Sequence, residues 1–272
     1  MSVNLNFRKT GHGPVLVILH GLYGASDNWL SIAKKLEERF TIYIPDLRNH
    51  GLSPHTSTHT YEDMSEDLHA FFNDHSILKA TLLGHSMGGK LAMLFASEYP
   101  EFITGLIIAD IAPKNYNSEE RPFKTVMQHE LILGLMEELN LQTVSSRKEI
   151  DFFLADKLKE STLRQFLIKN IHRNKEGYFE WKINVPVLKH ALNSITSDVN
   201  SEWFADRKPI LNYPVTFIRG LKSDYITDED IPLIRDIYPE ARVIDIPDAG
   251  HWLHAEQPEL FVQAVLSSVQ TR

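Results

Sequence analysis

Short runs of apolar, often β-branched residues alternate along this chain with longer stretches in which apolar positions recur every three or four residues. Residues 3–8 alternate apolar and polar side chains, which predicts a half-buried strand. VLVIL (15–19) is apolar throughout and predicts a strand covered on both faces; TIYIP (41–45), ATLLG (80–84) and ITGLIIAD (103–110) repeat that style. Helical periodicity fills about 28–38, 61–74 and 87–98 between them. Such alternation predicts βαβ units and a mostly parallel central sheet of about seven strands flanked by helices.

The rhythm breaks after Pro113. From about 115 to 204 helical periodicity dominates. Met127, Leu131, Leu135 and Leu139 recur every four residues, which predicts one helix face, and a second apolar run holds Phe152, Phe153, Leu158 and Leu163. YFEWKINV (178–185) predicts a short extended piece. The strand–helix alternation then returns with VTFIRG (215–220), a helix near 228–237 and VIDIP (243–247). A last helix opens on Pro258, with Leu260, Phe261, Ala264, Val265 and Val269 along one face. The predicted organisation is an α/β core from 1–112 and 205–272, interrupted at 113–204 by a helical insert too long for a loop and therefore read as a cap or lid.

Composition narrows the function classes. The chain has 272 residues, 43% hydrophobic and 24% charged, as in an ordinary globular protein. A net charge of −8 argues against a basic nucleic-acid footprint. There is no cysteine, so disulfides, thiol nucleophiles and thiolate metal sites are excluded. No apolar leader opens the chain and no apolar run approaches the ~18 residues of a membrane span, so the expectation is a cytoplasmic protein with no membrane segment.

Gly84-His85-Ser86-Met87-Gly88 carries the chemistry. It matches G-x-S-x-G between an apolar strand and a helical stretch, the setting that separates a nucleophile elbow from an ordinary Gly-Ser turn. The glycines let the backbone turn sharply, lifting the Ser86 hydroxyl above the sheet edge. The backbone N–H of Met87, and that of Leu22 in His20-Gly21-Leu22-Tyr23-Gly24 after the first buried strand, are the expected oxyanion donors. His251, in Asp248-Ala249-Gly250-His251-Trp252 before the last helix, is the candidate base; His254 and His85 read as structural neighbours. Two carboxylates compete for the acid: Asp110 and Asp224, each at the carboxyl end of a predicted strand.

Rival motifs fail on single residues. Gly84-x4-Gly89-Lys90 has P-loop spacing, but Leu91 has no hydroxyl for Mg²⁺, and Lys90 reads as a solvated helix residue. His129-Glu130 begins like HExxH, but Leu133 stands where the second His belongs. His50, His55 and His59 fall in a Pro/Ser/Thr-rich loop and read as ordinary loop residues, so no metal and no cofactor are expected.

The whole chain resembles the α/β-hydrolase superfamily through HGLYGASDNW (20–29), DLRNHGLSPH (46–55), GHSMGG (84–89), DIAP (110–113) and GHWLHAEQPE (250–259). The set also resembles that of small bacterial esterases of the YbfF type. Most relatives carry the acid three residues after the glycine ending the seventh core strand; here that residue is Ser223, with Asp224 one place late. In the YbfF-type subgroup the acid follows the sixth core strand, at DIAP. The resemblance therefore favours Asp110, with Asp224 as the alternative. It also implies a cap after the sixth core strand. The family core often has eight strands, so with seven legible the first antiparallel strand is short or absent.

The resulting expectation is a serine hydrolase, without cofactor or metal, cleaving carboxylic esters or thioesters through an acyl-enzyme on Ser86. Short- to medium-chain acyl esters or acyl-CoA are the implied substrates. Arg121, Lys124, Arg147 and Lys148 are candidate partners for CoA phosphates, against a plainer reading as a solvated helix face. Trp252 either narrows the acyl pocket or is an ordinary buried aromatic. The same architecture also serves C–C bond hydrolases, perhydrolases and a menaquinone-pathway lyase. A non-catalytic binding protein is the remaining alternative, disfavoured because all three catalytic residue types are present.

Overall fold

The computed structural model describes residues 1–117, 124–197 and 201–269. In chain order the strands are β1 (Phe7–Thr10), β2 (Val15–Leu19), β3 (Thr41–Pro45), β4 (Ala80–His85), β5 (Ile103–Ala109), β6 (Ile171–Arg173), β7 (Phe179–Trp181), β8 (Val215–Gly220) and β9 (Arg242–Ile246). The α-helices are α1 (Leu30–Leu36), α2 (Tyr61–Asp74), α3 (Met87–Glu98), α4 (Lys124–Glu138), α5 (Arg147–Ala155), α6 (Ser161–Ile168), α7 (Val185–Thr196), α8 (Ser201–Phe204), α9 (Ile231–Ile237), α10 (Leu253–Glu256) and α11 (Pro258–Val269).

Seven strands form one sheet in the order β1-β3-β2-β4-β5-β8-β9. Within it β1 is antiparallel to β3, and the other neighbours are parallel. Alternate side chains of the central strands feed two cores. Val17, Leu19 and Leu82 pack with α2 and α3, through Leu68, Phe72, Leu91 and Phe95. Leu16, Ile18 and Leu83 pack with α1 and α11, through Ile32, Leu36, Phe261 and Val265. Each such side chain removed from water contributes about 1.5–3 kcal/mol. This is the physical content of an all-apolar strand: it needs a helix layer on each face.

Helix boundaries also have local causes. α2 begins where the Thr60 side chain accepts from the Asp63 N–H, with Glu62 and Asp63 in the first turn. Ser146 caps α5 in the same way.

The segment between β5 and β8 holds α4–α8 and an antiparallel β6–β7 pair. It follows the fifth strand of this sheet, the sixth in an eight-strand count. Its links to the rest of the chain land on or beside loops at the carboxyl ends of strands. Asn170 Nδ2 donates to the Tyr23 carbonyl at 2.7 Å, the Asn184 N–H to the Asn49 carbonyl at 2.9 Å, and the Tyr61 hydroxyl to the Ile195 carbonyl at 2.9 Å. Among the described residues no helix is long and apolar enough to cross a membrane.

Several expectations need correction. The first strand is Phe7–Thr10, not residues 3–8. Its antiparallel register places Phe7 opposite Pro45, the last residue of β3, so earlier residues have no strand to pair with. Val3 and Asn6 instead bond to Asp67 and Ser53 side chains. The four-residue row on α4 does not stay on one face. Four residues turn 400° at 3.6 per turn, so the row drifts about 40° per step; Met127 and Leu131 are exposed while Leu135 and Leu139 are buried. Phe152 is exposed too, and Ile150 and Leu154 form the inner side of α5.

Lys90 is not solvated but 1% exposed. α3 lies between the sheet and the β5–β8 segment, with every residue from Met87 to Ser97 buried. The ammonium donates to the Thr196 and Ser197 carbonyls and sits 5.0 Å over the Tyr116 ring. It ties α3 to the C-terminal end of α7.

Candidate active site

β2, β4, β5, β8 and β9 end at the same sheet edge, and the candidate residues stand on the loops that follow them. Ser86 follows β4 with φ 54° and ψ −121°, a sparsely populated conformation that costs about 1–3 kcal/mol and persists only when its surroundings enforce it. The surroundings are backbone. A Cβ on Gly84 would lie 2.2 Å from the Gly88 carbonyl oxygen, and one on Gly88 2.3 Å from that of Leu19. Both glycines are therefore required for α3 to start this close to β2 and β4.

An unbroken line of hydrogen bonds starts at Ser86. Its Oγ lies 3.1 Å from His251 Nε2, and His251 Nδ1 lies 2.8 Å from Asp110 Oδ2. Asp110 leaves β5 with φ 51°, which turns its side chain across the ends of β5 and β8. It is fully buried. Oδ1 accepts the Gly220 N–H at 3.1 Å, and Oδ2 also accepts the Ser223 hydroxyl. Burial pushes the Asp110 carboxyl up from the ordinary range, against the pull of Ser223 and Gly220, and pushes the His251 imidazole down. With Nδ1–H donating to the carboxylate, Nε2 is left with its lone pair toward Ser86.

His251 is held from other sides. His85 Nε2–H donates to the His251 carbonyl at 2.8 Å. The Tyr225 ring stacks on the imidazole with centroids 3.6 Å apart. His254 stacks on Trp29 at 4.2 Å.

A small cavity of about 30 Å³ opens beside Ser86. Leu22 and Met87 line it with Ile111, Ile195, Tyr61 and Tyr116. Met87 is the first residue of α3, where a backbone N–H has no acceptor within the helix. Asp224 is exposed on the loop after β8, and Asp110 is the carboxylate at Nδ1. Trp252 packs against Phe166, and the cavity wall is made by others. Arg147 and Lys148 are exposed on α5 away from that wall, Arg147 donating to the Ile171 carbonyl. Arg121 and the side chain of Lys124 lie outside the described residues.

Ser223 and Tyr225 were not legible as site residues. The DLRNHG stretch proves to be a brace. Asp46 accepts from the Ser26 and Leu52 N–H groups at 2.6 and 3.0 Å, and Arg48 pairs with Asp67 at 2.6 Å. His20 is satisfied at both nitrogens, by the Gly21 carbonyl and the Leu47 N–H, each at 2.9 Å. His50 packs beside His20 and His59 beside His50, so these loop histidines are buried. Among the described residues no group of His, Asp or Glu is arranged to hold a metal ion.

Burial keeps seven histidines neutral: His20, His50, His59, His85, His129, His251 and His254 all lie below the ordinary 6.5, with His59 and His85 near 3 and His129 near 4. The unfolded chain therefore binds more protons than the folded one between about 6.5 and these lower values. Stability present above 6.5 is lost as the pH falls, by up to about 1.4 kcal/mol per histidine per pH unit. Melting curves should show Tm dropping steeply from pH 7 to 5. A Tm independent of pH across that interval would contradict the buried neutral histidines.

A family model described as alpha/beta hydrolase fold matches residues 14–258. The chain is 34% identical over 270 residues to the sn-1-specific diacylglycerol lipase ABHD11 of Danio rerio, covering 97% of this chain and 81% of that protein. It is 32% identical over 250 residues to esterase YbfF of Escherichia coli, covering 92% and 91%. Among solved structures, a marine microorganism esterase superposes with a TM-score of 0.92 at 42% identity, covering 98% of this chain and all of that one.

Proposed function

This chain belongs to the α/β-hydrolase family as a carboxylesterase-type hydrolase, and from that premise we propose that Ser86, His251 and Asp110 form a catalytic triad cleaving short- to medium-chain acyl esters and thioesters, acyl-CoA included. The observation that carries the reading is the continuous line from Ser86 Oγ through His251 to Asp110, at 3.1 and 2.8 Å. In this mechanism Ser86 Oγ attacks the acyl carbon while its proton passes to His251 Nε2. Asp110 holds the imidazole in the accepting tautomer and balances the imidazolium. The N–H groups of Leu22 and Met87 bind the oxyanion; each donor of this kind contributes about 10²–10³ in rate. His251 returns the proton to the leaving oxygen or sulfur, and water then releases the acid from Ser86 by the same route.

Residues 1–112 and 205–272 are read as the core and 113–204 as a cap. Supporting this division, Asn170, Asn184 and Ile195 of the second segment bond to Tyr23, Asn49 and Tyr61, around the sheet edge that carries Ser86. The pocket beside Ser86 is walled by Leu22, Met87, Ile111 and Ile195, an apolar lining that supports an acyl group as the part of the substrate held there. A panel of p-nitrophenyl acetate, butyrate, octanoate and palmitate, with butyryl-CoA and a vinylogous diketone, tests the reading. Turnover should be highest for butyrate or octanoate and fall sharply at palmitate. Cleavage of the diketone without turnover of any ester would replace esterase chemistry with C–C hydrolysis.

A further inference from the structure

Tyr225 lies flat on His251, its plane only 9° from that of the imidazole. Three contacts hold it there. Its N–H donates to Ser223 Oγ at 3.3 Å, its carbonyl accepts from the Tyr116 hydroxyl at 2.6 Å, and its own hydroxyl meets His129 Nε2 at 3.4 Å. Ser223 also donates to Asp110, and the Tyr116 hydroxyl accepts the Ala112 N–H at 2.9 Å. The stacked ring is thus fixed by the loops after β5 and β8 and by α4.

The titratable groups around His251 are Asp110 from the β5 loop, His85 at 4.7 Å, His254 from α10 and His129 from α4. Burial keeps the three neighbouring histidines neutral at pH 7. When the Ser86 O–H bond breaks and its proton bonds to Nε2, the new positive charge has one carboxylate and one aromatic face against it. An aromatic face carries negative quadrupole density and attracts a cation more strongly than a neutral ring. A contact that strengthens on proton transfer lowers the barrier instead of merely tightening substrate binding. We propose that Tyr225 is a positioning residue whose π-face stabilises the imidazolium of His251 during acyl transfer. The proposal rests on the triad reading above.

The test varies the π-face at nearly constant shape. Phenylalanine, 4-fluoro-, 3,5-difluoro- and pentafluorophenylalanine are installed at position 225 and assayed with p-nitrophenyl butyrate across pH. Phenylalanine should retain kcat within a few-fold. Successive fluorination should lower kcat stepwise, about tenfold over the series, at nearly constant KM. The acid limb of kcat/KM should move to lower pH in the same order, because the imidazolium is less stabilised. A packing role alone would move neither the pH limb nor kcat in that order. Tyr225→Leu, which removes the π-face, should also lower kcat relative to phenylalanine at that position. A flat series, or Tyr225→Leu with wild-type kcat, overturns the proposal. Ser86→Ala is assayed in parallel: if it keeps esterase activity the triad reading itself fails, whereas a flat series beside an inactive Ser86→Ala removes only the role of Tyr225.

Discussion

Ser86→Ala should lower turnover of p-nitrophenyl butyrate about 10⁶-fold while leaving Tm within a few degrees of wild type. The activity loss follows from removing the Ser86 oxygen that the hydrogen-bond line delivers to the cavity. Alanine shares the positive-φ strain of Ser86, and the glycine contacts that enforce the turn are untouched, so the fold should persist. Residual catalysis should remain above the uncatalysed rate, because the Leu22 and Met87 N–H groups and the cavity are still present. KM should change little, since Oγ contributes to bond making more than to holding the acyl chain. A fall of tenfold or less in kcat would remove Ser86 from the chemistry.

The second large effect separates the two carboxylates. Asp110→Asn should cost about 10⁴-fold in kcat, whereas Asp224→Asn should stay within a few-fold of wild type. Asp110 accepts on both oxygens, from Gly220 at Oδ1 and from Ser223 and His251 at Oδ2. An amide cannot satisfy that pattern. In one orientation its NH₂ opposes the Gly220 N–H. In the other it faces His251 Nδ1, forces the proton onto Nε2 and takes away the lone pair that receives the Ser86 proton. Asp224 is exposed, and its charge reaches the site only as a repulsion on Asp110. The opposite ranking of the two variants would assign the acid to Asp224.

Much of the sheet was legible because buried parallel strands advertise themselves. β2, β3 and β8 coincide with their apolar runs, and α2 and α3 with their helical patterns. The elbow was legible for the same reason: its glycines are demanded by contacts within five residues or across adjacent strands. The less legible features depend on partners far along the chain. β1 is placed by register against β3 rather than by its own alternation. β7 falls inside the extended piece read at 178–185, whereas β6, three residues long, is too short for periodicity to reveal. Lys90 reads as solvent-facing until α7 and Tyr116 are brought over it. The choice between Asp110 and Asp224 was open from the residues alone, because both follow strands that end at the same edge; φ at Asp110 and the Ser223 hydroxyl decide which one reaches His251. Tyr225 had no local signature at all, since stacking on a residue 26 positions away leaves no periodic mark.

The central claim is that Ser86 is an activated nucleophile, and intact-mass analysis after treatment with a fluorophosphonate tests it most directly. Wild-type protein should gain one phosphonyl adduct, and Ser86→Ala, shown to be folded by its melting curve, should gain none. A folded wild type that stays unlabelled, or an adduct of equal yield on Ser86→Ala, would contradict the account.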